Sequence, residues 1–300
     1  MLLACSVASS LRSFRAQDRT AVLDLSRHAL QRPSEQVGNP LWTTADELDS
    51  ELSDWDVDPA ETLLVEEHDG EVVAFGGVEV SPGWDHADLF GPLVAPEARG
   101  QKLGTVLLEA SIERAEDRGA ERVLAALGTR NLTGRLLLER VGFHRYGTAN
   151  AIFRLAPAEH RPVGPGLEGV IVRRGTISDL ETALQLYREC FPAGAFPEIA
   201  WREGLEAGSV YLAEDGGRCL AIVNIDASDR WVYHLGVTES ERSHGVGAYI
   251  LSRSIQDYWN RHPGDVLGLS VRADNLPALR LYRRQGFAPL LVVESFELPL

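Results

Sequence analysis

Apolar positions along the chain switch between two periods, and the switches mark elements. Trp231-Val232-Tyr233-His234-Leu235-Gly236-Val237 is rich in β-branched and aromatic residues and reads as a strand. The following Ala248-Tyr249-Ile250-Leu251-Ser252-Arg253-Ser254-Ile255 carries apolar residues at helical spacing. Val266-Leu267-Gly268-Leu269-Ser270-Val271 returns to strand character, and Leu276 to Gln285 reads as a helix capped by Asn275 and ended near Gly286. Earlier runs, Leu63-Leu64-Val65 and Leu220-Ala221-Ile222-Val223-Asn224-Ile225, are further strands.

Chemistry concentrates at two of these junctions. Between strand and helix stands Arg242-Ser243-His244-Gly245-Val246-Gly247. There, unpaired backbone N–H groups and the positive end of a helix dipole can hold a phosphate. Gly245 and Gly247 let an anion approach with no Cβ in the way. The glycine spacing is neither that of a Walker loop nor that of a dinucleotide fingerprint, and an ordinary strand-to-helix turn has the same outline. On the downstream helix Asn275, Ala278 and Tyr282 share one face, so Tyr282 is either a core aromatic or an ionisable hydroxyl facing the turn.

Together, these segments resemble the GNAT superfamily of N-acetyltransferases. Its Q/R-x-x-G-x-G/A turn is matched by Arg242, Gly245 and Gly247, and its V-x-x-x-N-x-x-A-x-x-x-Y-x-x-x-G-F segment by Val271, Asn275, Ala278, Tyr282, Gly286 and Phe287. The resemblance implies that acetyl-CoA bonds to the backbone around Leu235 and Val237, with its pyrophosphate on Arg242, Ser243, Gly245, Val246 and Gly247. It also implies that Tyr282 protonates the departing CoA thiolate.

The pattern occurs twice. Leu93-Val94-Ala95-Pro96 leads into Arg99-Gly100-Gln101-Lys102-Leu103-Gly104, then Asn131 and Gly142-Phe143. Arg99 lies 143 residues before Arg242, and Asn131 lies 144 before Asn275. Such constant spacing indicates duplication. Phe14-Arg15-Ala16-Gln17-Asp18 and Arg173-Arg174-Gly175-Thr176-Ile177-Ser178-Asp179 open the two copies, and Pro157, Pro162, Gly164, Pro165 and Gly166 separate them. A chain of 300 residues accommodates two domains of this size. The expected fold is α/β (α+β): two tandem GNAT-like domains, 10–156 and 168–300, joined by a linker at 157–167. Each is expected to hold a mixed, mostly antiparallel twisted sheet flanked by helices. The tandem layout is similar to that of the mycothiol synthases.

The copies differ where chemistry is expected. In the first, Lys102 replaces the turn glycine, Leu138 the tyrosine and Gly134 the alanine. Leucine has no proton to give, so the C-terminal copy is the expected catalyst and the N-terminal copy, with Asp88, Val94, Arg99, Lys102, Gly104 and Asn131, a degenerate site. Lys102 is the chain's single lysine. Many family members carry a base carboxylate 11 residues before the turn arginine. The first copy has Asp88 there, the second Trp231. Strand alternation groups Trp231, Tyr233 and Leu235 on one face and His234 on the other; if the acetyl group lies on the first face, Trp231 and Tyr233 line its channel and His234 is a structural histidine rather than the base. Asp226 is either an alternative base acting through water or the end of its strand.

Composition constrains the partners. A net charge of −15 and a pI near 5.0 argue against nucleic acid or an anionic membrane, which need clustered positive charge, and favour a cationic amine. The densest acidic run is Asp46, Glu47, Asp49, Glu51, Asp54, Asp56, Asp58 and Glu61, either a solvated face or an edge of an acceptor cleft. Cys5, Cys190 and Cys219 show neither disulfide nor metal spacing. Met1-Leu2-Leu3-Ala4-Cys5 resembles a lipoprotein box but lacks a basic region and an adequate apolar stretch. The expectation is a cytoplasmic acetyl-CoA-dependent N-acetyltransferase, monomer or homodimer, acting on a primary amine of a small molecule or peptide. The alternative is an acetyl-CoA-binding sensor or scaffold without turnover, which the missing carboxylate at Trp231 would suit.

Overall fold

A computed structural model describes residues 9–54, 58–81, 83–164, 166–192 and 196–300. Cys5 and its Met1 to Ala4 lead, Asp56 of the acidic run and Pro165 of the linker lie outside the described residues. Contacts divide the chain into a first unit, Met1–Ala149 with Val292–Leu300, and a second, Asn150–Leu291.

In chain order the elements begin β1 (Ser9–Ser13), α1 (Arg19–Leu30), α2 (Ala45–Asp54), α3 (Pro59–Thr62), β2 (Leu63–His68), β3 (Glu71–Glu79) and β4 (His86–Val94). They continue α4 (Leu103–Asp117), β5 (Arg122–Gly128), α5 (Leu132–Val141), β6 (His144–Leu155), β7 (Val170–Arg174), α6 (Leu180–Cys190), α7 (Glu198–Glu206) and β8 (Val210–Asp215). The last are β9 (Arg218–Asp226), β10 (Trp231–Val237), α8 (Val246–Arg261), β11 (Leu267–Arg272), α9 (Leu276–Arg284) and β12 (Ala288–Pro299). No described helix is long and apolar enough to cross a membrane.

Both units build the same sheet. In the first, β1 to β5 are neighbours in sequence order, and Val293 to Pro299 of β12 pair antiparallel with β5. In the second, β7 to β11 follow in order, and Asn150 to Leu155 of β6 pair antiparallel with β11. All these pairings are antiparallel except β4 with β5 and β10 with β11. Each fold is therefore a mixed, mostly antiparallel sheet with helices on its faces.

Side-chain alternation explains the layering. Leu220 to Ile225 of β9 are all buried because both faces are covered. Val210, Leu212 and Ile222 pack with Leu184, Tyr187, Trp201 and Leu205 of α6 and α7. Tyr211, Ala213, Val223 and Ile225 pack with Val246, Ile250, Leu251 and Ile255 of α8. In the first unit Trp42 stacks near Phe75 and Phe90, ring centroids 6.1 and 5.8 Å away, at the centre of the corresponding core.

One ionic device is repeated. Arg12 of β1 donates to Asp18 at 2.7 and 2.9 Å and to Glu67 of β2 at 2.7 Å. Arg173 of β7 donates to Asp179 at 2.8 Å and to Glu214 of β8 at 2.6 Å. Each aspartate also accepts a backbone N–H three residues earlier, from Arg15 or Thr176, at 2.8 Å. The carboxylate thus ties the first strand to the turn that starts the first helix.

These bonds hold the Asp179 carboxyl well below the usual carboxylate range, the Arg173 bond being the largest cause. A depressed folded-state pKa stabilises the fold above the unfolded value of about 3.9 and loses that contribution as pH falls through the folded value. Arg173 is 37% exposed, so solvent screening reduces the effect. Asp179→Asn is expected to cost about 1–2 kcal/mol at pH 7. Urea unfolding from pH 7 to pH 3 should show the gap to wild type narrowing below about pH 4.

Candidate functional site

The site begins with a break in the sheet. Parallel β10 and β11 are in register at one pair only, Trp231 with Gly268. On its other side β10 follows β9 from Trp231↔Asp226 to Tyr233↔Asn224, then resumes at Gly236↔Ile222, one residue out of step. This bulge falls at His234, whose φ is 45°. The first unit repeats it. There β4 and β5 are in register only from His86↔Arg122 to Asp88↔Leu124, and the ladder with β3 slips between Gly77↔Phe90 and Phe75↔Leu93. Gly91, at φ 72°, holds the place of His234. Left-handed backbone costs a residue with a Cβ about 1–2 kcal/mol. The first unit avoids that cost with glycine and the second does not.

The bulge overturns the strict alternation expected along this strand. His234 does not turn away from Tyr233: their rings stack at 5.9 Å and 23°. Leu235 and Val237 instead pack toward the α8 core. A period of two presupposes an unbroken ladder, and one extra residue reverses the phase beyond it.

On the α8 side the expected donor residues come together. Arg242 donates from Nε to the Val237 carbonyl at 3.2 Å, which ties the turn to the end of β10. Ser243 and Gly245 are both left-handed, at φ 67° and 87°, and Gly245 caps α8. This conformation directs successive backbone N–H groups into one concavity, the geometry of an anion nest at a helix start. A Cβ on Gly247 would stand 3.2 Å from Val237 Cγ2, so the small residue there permits the close strand–helix approach. Asn275 caps α9, its Oδ1 accepting from Ala278 N at 3.3 Å. Tyr282 is 8% exposed and shares one apolar cluster with Val246, Leu235, Val237 and Ala278. Burial pushes its phenol up to about 12.

The other side of β10 is aromatic. Trp231 lies on Gly268, where an added Cβ would be 2.2 Å from the indole. The Tyr233 ring lies 6.4 Å from that of Trp231, and its hydroxyl donates to Asp229 at 2.7 Å. Asp226 accepts from Ser228 N at 2.9 Å and Asp229 N at 3.3 Å, so it caps the β9–β10 turn. His234 sits among Phe196, Tyr187, Trp201 and Phe191, with centroids at 4.3, 5.1, 5.6 and 5.7 Å. Its surroundings lower its pKa to about 4 by desolvation.

The first unit keeps the backbone of this site without its side chains. Gly100 and Lys102 adopt φ 78° and 65°, matching Ser243 and Gly245, and Lys102 caps α4. Arg99 reaches the Val94 carbonyl at 3.2 Å, as Arg242 reaches that of Val237. Its guanidinium is also held by both oxygens of Glu35, at 2.9 and 2.8 Å. Among the described residues Arg242 has no ion pair. A Cβ on Gly104 would meet Leu137 at 3.4 Å, Asn131 caps α5 by accepting from Gly134 N at 2.9 Å, and Leu138 is buried. Asp88 lies 3.9 Å from His86 Nε2. Burial, then the Asp88 and Glu297 carboxylates, push the Tyr146 phenol up.

Some of these partners carry no sequence signal. Glu35 and Tyr146 lie in no motif, and only the fold brings them to Arg99 and Asp88. The acidic run is taken up locally. Glu47 accepts from Thr43 N at 2.7 Å, Glu51 from Trp42 Nε1 at 2.5 Å and Asp58 from Ala60 N at 2.9 Å, while Asp49 pairs with Arg19 at 3.0 Å.

Comparison with known proteins gives a consistent result. The profile of the acetyltransferase (GNAT) family matches residues 26–143 and again 178–287. A mycothiol acetyltransferase of Stackebrandtia nassauensis is 33% identical over 143 residues, which cover 46% of this chain and 45% of that protein. The chain thus spans under half the length of this curated relative. A mycothiol acetyltransferase of Nocardia farcinica is 26% identical over 249 residues, covering 75% of this chain and 79% of its own. The crystal structure of a GCN5-related N-acetyltransferase from Sphaerobacter thermophilus superposes with a TM-score of 0.75 at 20% identity, over 97% of this chain and 95% of that one.

The contact of Trp231 with Gly268 can be tested directly. Gly268→Ala places a methyl where the indole lies, so the ring must shift. The expected loss is about 1–3 kcal/mol. Chemical unfolding followed by tryptophan emission should show a lower midpoint and an altered native spectrum.

Proposed function

The chain belongs to the acetyltransferase (GNAT) family, and from that premise we propose that its second unit transfers acetyl from acetyl-CoA to a primary amine of a small molecule. The enzyme is a GNAT acetyltransferase, and acetyl-CoA is its co-substrate. The single observation that carries the choice of unit is the buried Tyr282 phenol, packed in one cluster with Val246 next to the turn, whose Arg242 has no carboxylate partner among the described residues. The first unit has Leu138 and an Arg99 already neutralised by Glu35. Curated relatives named mycothiol acetyltransferase favour a small-molecule acceptor over a peptide.

The residues fit the donor. The nest at Ser243 to Gly247, with its two left-handed residues, suits a pyrophosphate. The separation of β10 from β11 after Trp231 leaves the backbone around Leu235 and Val237 to take a pantetheine-like chain as a strand would. Acetyl-CoA supplies an acetyl thioester, reactive toward a neutral amine. Held backbone amides orient it, and the walls formed by Trp231 and Tyr233 exclude water on the acceptor side. Tyr282 holds a proton for the departing sulfur. Because burial places its pKa at about 12, the phenol stays protonated throughout the neutral range.

Tyr282→Phe should lower kcat by about 100-fold or more while leaving the Kd for acetyl-CoA within about threefold. Thiol release at saturating acetyl-CoA across an amine panel measures the first quantity, and calorimetry the second. Equal kcat for the two proteins would remove Tyr282 from the chemistry. Since a general acid works in its protonated form and this pKa is raised, wild-type kcat should show no fall attributable to Tyr282 up to about pH 10.

A further inference from the structure

Position 231, where a base carboxylate was expected, is a tryptophan, and the Asp226 carboxylate is engaged by its own turn. A nitrogen base lies three residues further on. We propose that His234 is the general base of the second unit, held by an aromatic box so that Nε2 receives the proton of the incoming amine. This rests on the reading of that unit as catalytic.

Three observations carry it. The first is position. His234 stands at the bulge between Tyr233 and Leu235, where β10 and β11 are no longer in register. The equivalent residue of the first unit, Gly91, shows that glycine satisfies this left-handed backbone. The second unit keeps a side chain there against that preference, and residues held in unfavourable backbone regions cluster at working sites.

The second observation is the tautomer. Nδ1 is enclosed with no hydrogen-bond partner among the described residues, whereas the residue as a whole stays partly accessible. The Tyr187 and Phe191 rings meet the imidazole nearly at right angles, at 89° and 82°. Nε2 is not enclosed in this way, so it is the ring nitrogen open to an incoming amine, and its acting as a base requires the proton to sit on Nδ1.

The third is charge. The titratable groups packed around His234 are the Tyr187 and Tyr233 phenols and, on α6 beside Gly236, the Cys190 thiol, whose pKa burial raises. The Asp229 carboxylate is bonded to the Tyr233 hydroxyl. The imidazole is thus neutral at pH 7, consistent with its lowered pKa. A weak base suffices, because the attacking nitrogen becomes strongly acidic as its bond to carbon forms.

The balance is simple. A C–N bond forms and the C–S bond breaks. The amine proton passes to Nε2 of His234, the Tyr282 proton passes to sulfur, and one proton returned through solvent from imidazolium to phenolate restores the enzyme.

His234→Gly tests the assignment, since Gly91 shows that the backbone accepts it. Its kcat should fall by about 100-fold or more, with the Kd for acetyl-CoA unchanged, and added imidazole should restore turnover saturably. A kcat within about threefold of wild type, or a loss that imidazole leaves untouched in a folded, acetyl-CoA-binding variant, would overturn the proposal. A second readout needs no substrate. Nitrogen-15 NMR of the histidine-labelled protein at pH 7 should show His234 protonated on Nδ1, and protonation on Nε2 would equally overturn it. Should the wild type acetylate no amine at all, the catalytic reading of the second unit fails, while the tautomer still decides the assignment of His234.

Discussion

One extra residue in the central strand of each sheet is the constraint from which the site follows. A ladder that kept its register would hold β10 beside β11 along its length and leave no backbone for a ligand. The slip after Tyr233, matched by the slip after Phe90, ends the parallel pairing early. It also reverses the alternation beyond it, so that Tyr233 and His234 share a face. Leu235 and Val237 go to the apolar side that holds Tyr282, and His234 goes to the aromatic side formed by α6 and α7. The buried phenol and the imidazole thus lie on opposite sides of one strand.

The two units show how far a shared backbone can be kept while its chemistry changes. Lys102 adopts the same left-handed cap as Gly245, and Arg99 the same bond to the preceding strand as Arg242. The ionic trio of Arg12, Asp18 and Glu67 reappears as Arg173, Asp179 and Glu214. What has diverged are side chains set on that backbone: Leu138 for Tyr282, Gly91 for His234, and Glu35 against Arg99 with no counterpart at Arg242 among the described residues. The conserved features are those that fix the chain's path, and those are costly to change singly because strand, turn and helix depend on them together.

Much of this was legible in the sequence. The strand at Trp231–Val237, the turn at Arg242 to Gly247 and the helix capped by Asn275 announced themselves through period, glycine placement and capping chemistry, all local properties. Alternation failed at His234 because a bulge leaves no mark in composition when its left-handed residue is not glycine. Contacts such as Arg99 with Glu35, 64 residues away, and Arg12 with Glu67, 55 away, depend on the finished sheet and have no local signature. The acidic run could be read as a solvated face or a cleft edge. Its carboxylates are largely taken up as helix caps and local ion pairs.

The composition of the first unit bears on its biogenesis. Its β5 is completed by Val293 to Pro299, residues translated after all of Asn150–Leu291. At usual synthesis rates that interval is roughly seven to thirty seconds. Throughout it the nascent first unit carries an open edge at β5, the kind of edge that recruits foreign strands. The second unit, Asn150–Leu291, is contiguous. The part of the protein made first is therefore the last to be finished, and occupancy by chaperones during translation should be greatest on the N-terminal half.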